Sequence, residues 1–198
     1  LKRLLPSAEK EFSIARVGDL TIVRRGALPG AVNYLGGWSS PDERVKAPLV
    51  VLHLGCIEMK DYNDKLLGIV AAGQNDTPKY QMLCAEVDEK RETKKEPFVE
   101  RPHDFLRQLV PEAEKRGLRL GIENREALEE IPLDSDFRFF FGEFASPVVT
   151  YWHDTGHAQI KQDMGLLNHR EQLEKNAPNA IGFHLHDVSA EGRDHQPI

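Results

Sequence analysis

The sequence predicts an α/β domain built from parallel βαβ units, and three features carry that expectation. Four continuous apolar runs are short enough to be strands buried in a parallel sheet: "PLVVLHLG" (48–55), "LRLGIEN" (118–124), "PVVTYWHD" (147–154) and "AIGFHLHD" (180–187). Helical patterns fill the gaps, so the order reads strand, helix, strand, helix, strand, helix, strand. Each run also ends in side chains able to bind a metal or move a proton, and parallel strands open their C-terminal ends onto one face.

Taken in chain order, "DLTIVRRG" (19–26) reads as a further strand, and "SSPDERVKA" (39–47) opens like a helix with Pro41 at its first position. Pro48 would break that helix at once, so any residues missing from this numbering would fall at the Ala47–Pro48 junction. "KYQMLCAEVDEKRE" (79–92) sets Tyr80, Leu83, Cys84 and Val87 on one helical face. "PFVERPHDFLRQLVPEAEKRG" (97–117) does the same for Phe105, Leu106, Leu109 and Ala113, with Gly117 as its stop. After Glu123, "REALEEI" (125–131) and "DSDFRFFFGEFA" (134–145) read as short helices, and "LNHREQLEKNAP" (167–178) fills the last gap.

The bulk properties exclude several function classes. At 198 residues, 40% hydrophobic and 29% charged, the chain fits one soluble globular domain. A net charge of −6 offers no general attraction to a phosphate backbone, so no nucleic-acid partner is expected. No apolar stretch is long enough to span a membrane, and "LKRLLPSAEKEF" lacks the core and cleavage site of a signal peptide. The two cysteines, Cys56 and Cys84, lie in different segments and read as packing groups in a reducing cytoplasm. The charged run "DEKRETKKE" (88–96) reads as a solvated helix face and its exit. There is no GxSxG elbow, Walker loop or dinucleotide fingerprint.

The chemistry gathers at the strand ends. The first run carries His53, the second Glu123, the third Asp154 with His157, and the fourth His184, His186 and Asp187. Carboxylates and imidazoles converging on one face make a mixed oxygen–nitrogen site suited to Mn²⁺, Zn²⁺, Co²⁺ or Mg²⁺. Each residue also has a purely structural account. His53 would be a core histidine; Glu123-Asn124 and Asp154-Thr155 would be helix caps, with His157 on an exposed first turn. The two histidines of "HLHD" fit that account worst, because both would be costly to bury without partners.

In their order, "VVLHLG", "GLRLGIEN", "WHDTGHA" and "IGFHLHD…RDHQPI" resemble the xylose-isomerase-like TIM barrels over residues 48–198. That superfamily holds sugar-phosphate isomerases and epimerases, ketose 3-epimerases, inosose dehydratases and apurinic-site endonucleases. The resemblance implies a (β/α)8 barrel, incompletely represented here because eight units need ~250 residues. It implies one divalent metal ion held by Glu123, Asp154 and His184. Glu123 would also transfer the proton, with His157 and Arg193 as further catalytic groups. His53, His186, Asp187 and His195 would contact a small carbohydrate. The family's fourth ligand, a glutamate on the final strand, has no counterpart before Ile198. Nuclease-type members carry Asp-x-His where this chain has Arg193-Asp194-His195, which displaces the acid by one position. The implied activity is isomerisation or epimerisation through a metal-stabilised enediolate. A zinc phosphodiesterase, an inosose-type dehydratase and an inactive barrel relic are the alternatives. An open sheet edge would favour association with a second copy.

Overall fold

The computed structural model describes residues 48–60 and 62–198 in full, and of the earlier chain the backbone of residues 12–17, 20–25 and 33–34. Strands β1 (Phe12–Val17) and β2 (Leu20–Arg25) form a separate antiparallel ribbon, which accounts for the strand expected over 19–26. The helix start expected over 39–47 and the Ala47–Pro48 junction lie outside the described residues. Strand β3 (Asn33–Tyr34) then pairs antiparallel with β4 (Leu49–His53).

From β4 the chain makes the short strand β5 (Gly55–Cys56) and three helices, α1 (Asn63–Ala71), α2 (Pro78–Lys94) and α3 (Glu96–Arg116). It returns as β6 (Arg119–Glu123), passes β7 (Glu130–Ile131) and α4 (Phe137–Glu143), and returns again as β8 (Val149–Asp154). Helices α5 (Thr155–Asp163) and α6 (His169–Asn176) lead to β9 (Ala180–His184). Strands β4, β6, β8 and β9 lie side by side and parallel in that order, giving an α/β architecture with helices in the connections. All four apolar runs are strands, although the last ends at His184, three residues before its apolar pattern does. No helix among the described residues is long and apolar enough to cross a membrane.

Local chemistry explains the helix limits. Thr77 accepts from Tyr80 N ahead of Pro78 and so caps α2, and Asn168 accepts from Glu171 N to cap α6. Gly117 ends α3 in the left-handed region at φ 63°, where a side chain would be strained. The segment 125–131 is a correction: it is a turn leading into β7, and no helix forms there. Glu130 folds back to accept from Arg125 Nη2 at 2.7 Å and from Ala127 N at 3.1 Å. Its backbone pairs with Cys56 in β5, so the hydrogen bonds a helix would use are committed elsewhere.

Alternating strand positions point one way into the main core. Val50 and Leu52, Leu120 and Ile122, and Val149 and Tyr151 meet Leu106, Val110 and Ala113 of α3 and Phe137 and Phe140 of α4. The opposite sheet face carries Leu49, Gly121, Trp152 and Gly182, in mutual contact. There the Trp152 indole lies so close over Gly182 that any β-carbon would collide with the ring. A second core joins α1, α2 and α5 through Leu66, Tyr80, Leu83, Val87, Ile160 and Met164. Both cysteines are free and half-buried.

Two polar clusters are buried inside this framework. Arg91, 1% exposed, donates to Asp136 Oδ2 at 2.6 Å and to Leu128 O at 2.9 Å, tying α2 to the start of α4. Removing Asp136 strands a buried guanidinium, so Asp136→Ala should cost roughly 3–5 kcal/mol in urea denaturation; a loss under about 1 kcal/mol would show the pair to be dispensable.

The second cluster is a relay from β8 to α6. Tyr151 Oη contacts His153 Nδ1 at 2.8 Å, and His153 Nε2 contacts His169 Nε2 at 2.9 Å. With Tyr151 donating, both rings are satisfied only when neutral. Burial, then the neighbouring His169, lowers the His153 pKa from 6.5 to about 4. The unfolded chain takes up that proton at the higher pH, so the contribution is present above pH 6.5 and lost as pH falls through about 4. It amounts to about 3 kcal/mol. The urea midpoint of His153→Phe should therefore fall less than that of the wild type between pH 7 and pH 4, and equal falls would refute this assignment.

Candidate functional site

Strand register brings the predicted residues together. Leu52 pairs with Ile122, Glu123 with Trp152, and Asp154 with His184, so His53, Glu123, Asp154 and His184 line up along the C-terminal ends of adjacent strands. Glu123 is the centre. It is 1% exposed, with Oε2 at 2.5 Å from His53 Nε2 and 2.6 Å from Arg125 Nη1, and Oε1 at 2.6 Å from His184 Nδ1. Burial alone would raise its pKa, but the bond from His53 and the charge of Arg125 outweigh it and hold the carboxyl at about 2.

Asp154 does two jobs. Its Oδ1 accepts from His157 N at 2.9 Å, capping α5 as the structural account expected. Its Oδ2 lies 3.4 Å from His184 Nδ1 and 3.1 Å from His186 Nε2. Gly156 is needed between Asp154 and His157 because the His186 ring lies where its β-carbon would be. His157 is buried, contrary to an exposed first turn; its Nδ1 donates to Asn124 O at 2.9 Å and its Nε2 lies 3.7 Å from Asp194 Oδ2. Burial lowers the His157 pKa despite the nearby Asp154.

The loop after β9 supplies the remaining groups. Asp187 and Gln196 close it through paired backbone hydrogen bonds of 2.9 and 3.0 Å. His195, at φ 55°, stacks on His186 with ring centroids 4.3 Å apart and contacts Asp194 at 2.6 Å. Arg193 lines a cavity beside the site. Asp187 is not brought into the cluster: it is exposed, and its carboxylate accepts from Val188 N.

The residues fit a divalent ion. Glu123, Asp154 and His184 each offer a ligand atom, all within 4.8 Å of one another. Glu123 Oε1 is buried and lies 2.6 Å from His184 Nδ1 without hydrogen-bond geometry, a costly state that a cation shared by the two would relieve. Two adjoining groups have the same spacing: Glu126, His157 and Asp194, and His186, Asp194 and His195.

Several site residues escaped sequence reasoning. Arg125 follows Glu123 by two residues, the spacing that returns a side chain to the same side, yet it read as part of a helix. Glu126 had no signal; its pKa is pushed up to about 7 by burial and by Asp194 and Glu130. Asn124 is wholly buried and braces two strands, donating Nδ2 to Asp154 O at 2.9 Å and accepting from Asp154 N at 2.6 Å. No protein-family model matches the chain, and no curated protein or solved structure matches it either.

Asn124→Ala would leave the Asp154 N–H buried without a partner. The expected loss is about 1–3 kcal/mol by urea denaturation, together with weaker retention of Mn²⁺ in equilibrium dialysis. Unchanged stability would show that Asn124 does not brace the strand ends.

Proposed function

We propose that the chain belongs to a (β/α)8 barrel enzyme, cytoplasmic and dependent on one divalent metal ion, that isomerises or epimerises a sugar or sugar phosphate. The observation that carries the proposal is the convergence of Glu123, Asp154 and His184 on one point at the strand ends, with the buried Glu123 Oε1 and His184 Nδ1 2.6 Å apart. Barrel closure is supported by the sheet itself: α3 and α4 cover one face, while the site-bearing strand positions share the other with Trp152. Mn²⁺, Zn²⁺, Co²⁺ or Mg²⁺ suits this donor set and, when bound, supplies Lewis-acid polarisation of a carbonyl and its neighbouring hydroxyl.

The protein groups then divide the work. Glu123, ionised at neutral pH, takes the proton from the carbon next to the carbonyl, giving an enediolate. Glu126, whose proton affinity matches neutral pH and which lines the adjoining cavity, returns a proton to the same or the adjacent carbon. His157 and Arg193 orient substrate oxygens, His53 and Arg125 hold Glu123 in place, and His186, stacked on His195, holds Asp154. The same proton abstraction followed by loss of hydroxide would make the enzyme a dehydratase.

A second reading is favoured by the two adjoining ligand groups around Asp194. Ions held by all three groups would suit a zinc phosphodiesterase of the apurinic-site endonuclease kind.

Elemental analysis of the purified protein separates these readings. The isomerase proposal expects about one metal equivalent per chain, lost in both Asp154→Ala and His184→Ala, and a fall in turnover of roughly 10²–10⁴-fold in Glu123→Gln. Two or three zinc equivalents, with cleavage of duplex DNA carrying an apurinic site, would move the assignment to the phosphodiesterase. No retained metal after reconstitution with Mn²⁺, Co²⁺ and Zn²⁺ would identify an inactive relic.

A further inference from the structure

A cavity of about 650 Å³ adjoins the carboxylate–imidazole cluster, sharing Glu126 and Asp194 with it. One wall is α1, which contributes Asp64, Leu67 and Ala71; the opposite wall is the loop after β9, with Glu191, Arg193 and Asp194. Its ionisable lining among the described residues is therefore three carboxylates (Asp64, Glu191 and Asp194) and the partly protonated Glu126 against one guanidinium.

That lining is the reverse of a phosphate site. Phosphate groups are held by arginine and lysine side chains, by runs of backbone N–H groups, or by the positive end of a helix. Here the positive end of α1 is already matched by a negative charge, because Asp64 lies in its first turn. Arg193 is exposed and accompanied by Glu191 and Asp194 on either side in sequence. Carboxylates are instead good acceptors for sugar hydroxyls, and Leu67 and Ala71 offer an apolar strip for the C–H face of a ring.

From this cavity we infer that the substrate is an uncharged polyol ketone or ketose and that its phosphate esters are rejected. The inference rests on the isomerase reading for where the carbonyl sits, and it narrows the substrate from "sugar or sugar phosphate" to the unphosphorylated class. Discrimination comes from repulsion: a dianionic ester would enter a space whose described lining already carries a net negative charge.

The test is binding, which needs no turnover. Calorimetric titration of the Mn²⁺-loaded protein would compare D-fructose with D-fructose 6-phosphate and D-xylulose with D-xylulose 5-phosphate. At least one free ketose should bind, and its ester should bind more weakly by at least about tenfold. In the double variant Asp64→Asn/Glu191→Gln, at two exposed positions, the ester should tighten and the ratio shrink by at least about threefold. An ester that binds as well as its parent sugar overturns the inference, as does a ratio unmoved in the double variant or binding of neither sugar. The isomerase chemistry is read separately, by deuterium uptake from heavy water at the carbon next to the carbonyl. Exchange with an ester preferred overturns the substrate class alone. Selective binding of free ketoses without exchange overturns the chemistry alone.

Discussion

A carboxylate held ionised at the end of a buried strand is the constraint around which this site is organised. Glu123 is almost wholly excluded from water, and an isolated buried anion would simply take up a proton. One neighbour on the adjacent strand end and one two residues along the chain prevent that: His53 and Arg125. Arg125 is itself tied to Glu130, so the turn after β6 takes its shape from the need to keep a cation beside Glu123. The short β5–β7 pairing follows, because Glu130 and Ile131 emerge from that turn directly opposite Gly55 and Cys56.

The two faces of the parallel sheet have different work. Large aliphatic and aromatic side chains point towards α3 and α4 and supply the cohesion. On the other face glycines at 121 and 182 make room for Trp152, and His53, Glu123, Asp154 and His184 stand at the last position of each strand. Stability and chemistry are thus placed at different levels along the same strands, an arrangement that lets loops vary while the strand ends stay in register.

The sequence made the strands legible because buried parallel strands are nearly continuous apolar runs, and "PLVVLHLG" or "PVVTYWHD" has little alternative use. Helices with caps and stops, such as α3 before Gly117, were legible for the same local reasons. Segment 125–131 was not: its residues have good helix propensity, and only the ion pair across it and the pairing with β5 override that preference. His53, Glu123, Asp154 and His184 could be named from sequence, since strand direction sends them to one face; Asp187, beyond the end of β9, is exposed instead. Asn124 and Glu126 could not, because their roles depend on what neighbouring strands and a distant loop present to them.

Asp154 shows what sharing an atom group between two tasks entails. One oxygen closes the first turn of α5 and the other faces the imidazole of His184, while His186 Nε2 lies against both. The helix start and the site therefore form one mechanical unit. Anything that draws the carboxylate outwards loosens the first turn of α5, and anything that frays that turn spreads the donor atoms apart. The tetrapeptide Asp154-Thr155-Gly156-His157 leaves no room to adjust one function alone. Thr155 is bonded to the carbonyls of both His184 and His186, and Gly156 lies against the His186 ring, so its four residues form a hinge-pin joining β8, α5 and the loop after β9.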